Sequence, residues 1–184
     1  MSSTGRAFVA VVPPAEVLDA IGSAVGSLRE RMGSVRWTPR KQWHLTIQFL
    51  GNHVDLDTAA SALGALRAAG GQARFGSAGA IPNERRGRVL WIGLTEGAEM
   101  LSVLAGAVAT VMRPIGYEPE HDRYHPHLTV ARMKQPGDLH EPVAALRAGD
   151  LGPSWLVEEL LLVHSETKPT GAEHAVVATT TLSR

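Results

Sequence analysis

Short, strongly apolar runs alternate along the chain with longer stretches whose apolar positions recur three or four residues apart. That pattern predicts a succession of strands and amphipathic helices. Arg6 to Val12 is an apolar run closed by Pro13 and Pro14 and reads as a buried strand. Val17, Leu18, Ile21, Val25, Leu28 and Met32 then fall at helical spacing, which predicts a helix over 14–32 with Gly33 as its stop. Trp43 to Leu50 alternates and runs into Gly51-Asn52, a turn signal. A second helix fits Leu56 to Ala69, closed by Gly70-Gly71, and a weaker strand fits Ala73 to Ala80. Pro82 to Arg88 is a polar loop carrying Arg85, Arg86 and Arg88. Val89 to Leu94 reads as a buried strand, and Glu99 to Met112 as a helix with Leu101, Leu104, Val108 and Val111 along one side. His127 to Arg132 is a strand, followed by a Pro136-Gly137 turn and a short helix near Glu141–Arg147. Trp155 to Val163 and Ala175 to Leu182 close the chain as two strands of a hairpin.

An internal repeat runs through this order. Each half contains a strand, a helix and then a strand that carries His-x-Thr, first at His44-Leu45-Thr46 and again at His127-Leu128-Thr129. A repeat of this kind predicts two lobes related by an approximate twofold axis. The fold class is α+β: a bilobal arrangement of mainly antiparallel sheet with outer helices around a central cleft, with residues 1–184 forming one such unit.

Strand geometry turns the repeat into chemistry. Successive side chains point to opposite faces. Strict alternation puts His44, Thr46 and Gln48 on one face, and Leu45, Ile47 and Phe49 on the other. His127 and Thr129 share a face in the same way, with Leu128 and Val130 behind them. Two such strands across a groove would gather two imidazoles and two hydroxyls. That set suits attack on a phosphodiester: one neutral imidazole takes a proton from water and one charged imidazole gives a proton to the departing alkoxide. Threonine hydroxyls donate to the nonbridging oxygens as charge shifts in the transition state. A strained cyclic phosphate needs no metal for this.

Charge and composition narrow the partners. Lysine plus arginine and aspartate plus glutamate both number 18, so the net charge is zero and any nucleic-acid contact is local. Cysteine is absent, which excludes disulfides, thiolate metal sites and a thiol nucleophile. No apolar run of membrane-spanning length and no secretory signal is read, so the expectation is a cytoplasmic monomer with no membrane contact, no cofactor and no metal.

At the two motifs the sequence resembles the two-histidine (2H) phosphoesterase superfamily, and within it the RNA 2′,3′-cyclic phosphodiesterases, also called 2′-5′ RNA ligases. The resemblance extends over Arg6 to Ala10, His44 to Gly51, Arg88 to Gly93 and Pro126 to Arg132. It implies a bilobal α+β fold with the motifs lining a central cleft. It also implies hydrolysis of RNA ends or nucleotides bearing a 2′,3′-cyclic phosphate to a 2′-phosphate. His44 would be the proton donor to the 3′ oxygen, His127 the proton acceptor from water, and Thr46 and Thr129 the holders of the phosphate. The reverse reaction would ligate RNA through a 2′-5′ linkage. Arg132 matches a family arginine that meets the substrate phosphate, although simple alternation turns it away from His127. His164 and His174 depart from the family, which often has tyrosine at these places.

Several other residues carry alternatives. Phe8 is either a core residue or a face for a nucleobase, and Trp37, Trp43, Trp91 and Trp155 read as packing residues. His121, His125 and His127 would be the ligands if the protein were instead a metallohydrolase. His53 and His140 read as solvated turn residues. Arg85, Arg86 and Arg88 form either a solvated loop or a contact to an RNA backbone, and Arg36, Arg40 and Lys41 give a basic approach to the first motif. A small-nucleotide phosphodiesterase and an RNA-end-binding module without turnover are the competing functions.

Overall fold

A computed structural model describes residues 4–32, 35–121, 123–168 and 171–184. In chain order the elements are β1 (Thr4–Val11), α1 (Ala15–Arg29), β2 (Arg36–Trp37), β3 (Leu45–Asp55), α2 (Leu56–Gly64), β4 (Gly71–Ile81), β5 (Gly87–Glu96), α3 (Ala98–Met112), β6 (His127–Gly137), α4 (His140–Ala148), β7 (Trp155–Val157), β8 (Glu159–Lys168) and β9 (Gly171–Thr181). The helix stop expected at Gly33 lies outside the described residues.

The strands form one curled sheet in the order β7-β4-β5-β6-β3-β1-β8-β9, with the two residues of β2 paired beside β6. Its named pairs are antiparallel throughout. The repeat is explicit in this order. One copy runs β1-α1-β3-α2-β4 and the other β5-α3-β6-α4-β8, and the last strand of each crosses to pair with the first strand of the other, β4 on β5 and β8 on β1. The lobes are therefore exchanged rather than merely adjacent. Among the described residues, the two lobes of the sheet meet where β3 touches β6, at the single pair Leu45–Leu128.

The core lies on the helix side of the sheet. Ala7, Val9 and Val11 of β1, Leu45 and Ile47 of β3, Leu90 and Ile92 of β5, and Leu128 and Val130 of β6 pack with Ile21 and Leu28 of α1, Leu63 of α2, Leu104 of α3 and Leu146 of α4. Helix α3 with its short 3-10 extension, Ala98–Ile115, is long and apolar enough by length and composition to cross a membrane, against the reading that no such run exists. Its Leu101, Leu104, Val108 and Met112 are buried in the core, which is what gives it that composition.

Four sequence-based boundaries change, each for a local reason. Gly51-Asn52 is no turn: β3 runs on to Asp55 because β1 continues to pair with it, with Gly51 at φ +132 absorbing a register shift. Helix α2 starts on an Asp55 cap that accepts from the Thr58 amide and stops at Gly64, not Ala69. Its last carbonyls are taken by Arg67 and by the Thr180 hydroxyl. Pro136-Gly137 stays within β6, where Gly137 pairs with Gly87. The apolar stretch from Trp155 to Val163 is two strands, β7 on β4 in one lobe and β8 on β1 in the other; the hairpin of the last two long strands forms as β8 and β9.

Leu128 is fully buried at the junction of the lobes. Leu128→Ala leaves a cavity there and should lower the unfolding free energy by about 2–5 kcal/mol, read from urea denaturation of the two proteins.

Candidate active site

The Leu45–Leu128 pair fixes what stands beside it. Continued outward, its antiparallel register sets His44 across from Thr129 and Thr46 across from His127, on the sheet face turned away from the helices.

Both motif strands then break alternation at the same place. Ala10 pairs with Thr46 and Val9 with Gln48, so Ile47 is an extra residue in β3. Trp91 pairs with Thr129 and Leu90 with Ala131, so Val130 is the matching extra residue in β6. A bulge of this kind reverses the phase of everything that follows. Gln48, expected beside His44, turns into the core, where its side-chain amide donates to the Tyr117 carbonyl at 3.0 Å. Phe49, expected in the core, comes to the open face beside Phe8. Arg132, placed by alternation opposite His127, is returned to the same face as His127 and Thr129, and its charge acts on His127.

Each imidazole is held the same way. The Nδ1–H of His44 donates to the Gln42 carbonyl at 2.7 Å, and that of His127 donates to the His125 carbonyl at 2.8 Å. A carbonyl oxygen can only accept, so the proton of each neutral ring sits on Nδ1 and Nε2 carries the free lone pair. His44 Nε2 lies 3.0 Å from the Thr46 hydroxyl, which donates to it while the ring is neutral.

Electrostatics favour neutral rings at both positions. Burial is the first cause, and with the charges of His174 and His127 it lowers the His44 pKa to about 4 against the pull of the Gln42 carbonyl. Burial also lowers His127, helped by His125 and Arg132. His174 is lowered too, by burial and then by Arg6 and Lys41. A chain of zero net charge therefore concentrates positive charge around these rings.

The remaining candidates separate clearly. Phe8 is 6% exposed, with the His44 ring stacked on it at 4.6 Å and the edge of His174 at 5.2 Å, so its faces are taken by imidazoles and it offers no open platform to a base. Arg40 is tied to Asp19 at 2.6 Å, while Lys41 acts on His174. His164 packs over Gly5. His53 lies in β3, and His140 is the first residue of α4, its amide donating to Asp138 Oδ1 at 2.9 Å and its ring lying near Asp138 and Glu84. Among the described residues no three of His, Cys, Asp or Glu converge as metal ligands, His121, His125 and His127 included.

Two site residues escaped the sequence reading. His174, on β9, stands 5.4 Å from His44. Trp91, read as a core residue, lies on the open face with its ring 5.0 Å from His125 and 6.2 Å from His127. The signal for Trp91 was its place two residues before Gly93, on the strand face opposite Leu90 and Ile92.

A two-lobed antiparallel sheet presenting a pair of pinned imidazoles on its open face defines a two-histidine phosphoesterase. More particularly, the chain belongs to the 2′-5′ RNA ligase superfamily, whose family model matches residues 11–169. A Thermus thermophilus protein named RNA 2′,3′-cyclic phosphodiesterase is 35% identical over 183 residues, covering 94% of this chain and 87% of its own length. A Methanothermobacter thermautotrophicus protein of the same name is 30% identical over 181 residues, 90% of this chain and 92% of its own. The crystal structure of TT0787 from Thermus thermophilus superposes with a TM-score of 0.78 at 28% identity, over 96% of this chain and 97% of that one.

The buried His44 makes folding sensitive to acid. Its pKa is about 4 in the fold and 6.5 ordinarily, so between these values the unfolded chain binds a proton that the folded chain refuses. The stability due to its neutral ring is complete above pH 6.5 and is lost as pH falls toward 4. Urea midpoints measured across that window should fall steadily for the native protein and more shallowly for His44→Gln.

Proposed function

We propose that this protein is an RNA 2′,3′-cyclic phosphodiesterase that hydrolyses a terminal cyclic phosphate to a 2′-phosphate by proton transfer between His44 and His127, with no step that needs a metal. The observation that carries this reading is the matched pair of imidazoles, each held through Nδ1 so that Nε2 is the nitrogen left to exchange protons, that of His44 beside the Thr46 hydroxyl. The names of the relatives at 35% and 30% identity support the same substrate class.

In the reaction His127 Nε2 takes a proton from water as the water oxygen bonds to phosphorus. The bond from phosphorus to the 3′ oxygen breaks, and His44, carrying a second proton on Nε2, protonates that oxygen. One proton enters the pair and one leaves, and exchange with solvent restores the starting state. Thr46 and Thr129 hold the nonbridging oxygens, and Phe8 supports the ring of His44. The resting site lowers both histidine pKa values, so charging the acid waits on the bound phosphate, whose negative charge raises them again. A 5′-hydroxyl in place of water attacks phosphorus in the same way, the bond to the 3′ oxygen breaks, and a 2′-5′ linkage forms. The two histidines, two threonines and Arg132 all come from one polypeptide, so we take a single chain as the active unit, and we place this cysteine-free protein in the cytoplasm.

Turnover of a nucleoside 2′,3′-cyclic phosphate should persist in excess EDTA and yield only the 2′-phosphate. His44→Ala and His127→Ala should each cost about 10²-fold or more in kcat, and full activity in both variants would end the proposal. The two pH profiles separate the resting and loaded sites. kcat/KM should fall as pH rises through the depressed pKa of the acid in the free enzyme, whereas kcat should fall only at higher pH, where the bound anion has raised that pKa.

A further inference from the structure

The open face of the second lobe continues past the catalytic residues in rows set by strand register. Gly79, Trp91 and Thr129 lie side by side on β4, β5 and β6. The next row away from His127 is Ile81, Val89 and Arg132, and it is extended by Arg36 on β2, directly across from Arg132. Two strand steps separate the rows, about 7 Å, a span that one sugar–phosphate unit covers.

Two independent features of this face point to a ligand. The first is the Arg36–Arg132 pair. Like charges directly opposite across antiparallel strands destabilise the sheet. Both residues are exposed, and neither has a hydrogen-bonded or acidic partner among the described residues. A phosphate seated between them removes the repulsion and suits the forked donors of arginine. The second is the bed under Trp91. Its indole lies over Gly79 and Gly93, where a Cβ at either position would collide with the ring. An open groove of about 460 Å³ borders the indole and extends past Gly79 to Asn83 and Arg85. An aromatic face held flat beside a phosphate site stacks a base of any sequence.

We propose that this face binds a second phosphate, the 5′ phosphate that joins the terminal nucleoside to the rest of an RNA: Arg36 and Arg132 hold it while the terminal base lies on Trp91. The proposal rests on the cyclic phosphodiesterase reading and deepens it, since it makes an RNA end the preferred substrate over a free cyclic mononucleotide. Arg36 acts here as a specificity residue: it meets the substrate one phosphate away from the bond that breaks.

The test compares three substrates with chelator present: a nucleoside 2′,3′-cyclic phosphate, the same compound carrying a 5′-phosphate, and a dinucleotide ending in the cyclic phosphate. The last two should exceed the first by roughly tenfold in kcat/KM, chiefly through KM. That advantage should shrink with added salt and disappear in Arg36→Gln. Trp91→Leu should raise KM for all three substrates and keep their ratio. Equal kcat/KM for the three in the native enzyme, or an Arg36→Gln variant that keeps the advantage, would overturn this inference alone. No turnover of any of the three would remove the proposed function and this inference with it.

Discussion

One pair of leucines organises the molecule. Among the described residues, Leu45 and Leu128 are the one pair that joins the two halves of the sheet, and both side chains are fully buried against the helices. Their burial fixes which way the adjoining residues must point. His44 and Thr46, and His127 and Thr129, are forced to the other face together because a strand residue and its two neighbours cannot share a side. The crossing of β4 and β8 between lobes then prevents the halves from sliding past one another, so the register at this single pair is over-determined by the rest of the sheet.

That arrangement places two bases on one face of the sheet, partly buried, and the surroundings decide how they behave. Backbone carbonyls two residues upstream, of Gln42 and of His125, hold both rings by the same atom. Burial, together with neighbouring Arg132 and His174, disfavours charging either ring before an anion arrives. The site is thus cationic around its rim and neutral at its centre. The binding energy of an anionic substrate is coupled to loading the acid, which links recognition to chemistry through the same charges.

The two strands with His-x-Thr could be read from sequence because each pairs a polar alternate position with an apolar one over its first three residues. The reading failed one residue later. Ile47 and Val130 are ordinary β-formers, and nothing in their identity announces a bulge; only the register of β1 and β5 against them does. Strict alternation therefore puts Gln48 and Phe49 on the wrong faces and turns Arg132 away from His127. Trp91 was hidden for a different reason. Val89 to Leu94 is apolar on both faces, so periodicity could not separate the side that packs on helices from the side that faces the catalytic residues. Arg36 sits in a strand of two residues, too short for any pattern. The long apolar stretch from Trp155 to Val163 concealed a change of lobe, because burial looks the same in either.

The tautomers and charge states of His44 and His127 test the account most directly, and nitrogen-15 NMR of the imidazole rings reads them. In the free protein at neutral pH both rings should be uncharged, with the proton on Nδ1 and a bare Nε2. Adding the 2′-nucleotide product should put a proton on Nε2 of one ring only. A neutral ring carrying its proton on Nε2, or two charged rings in the free protein, would contradict it.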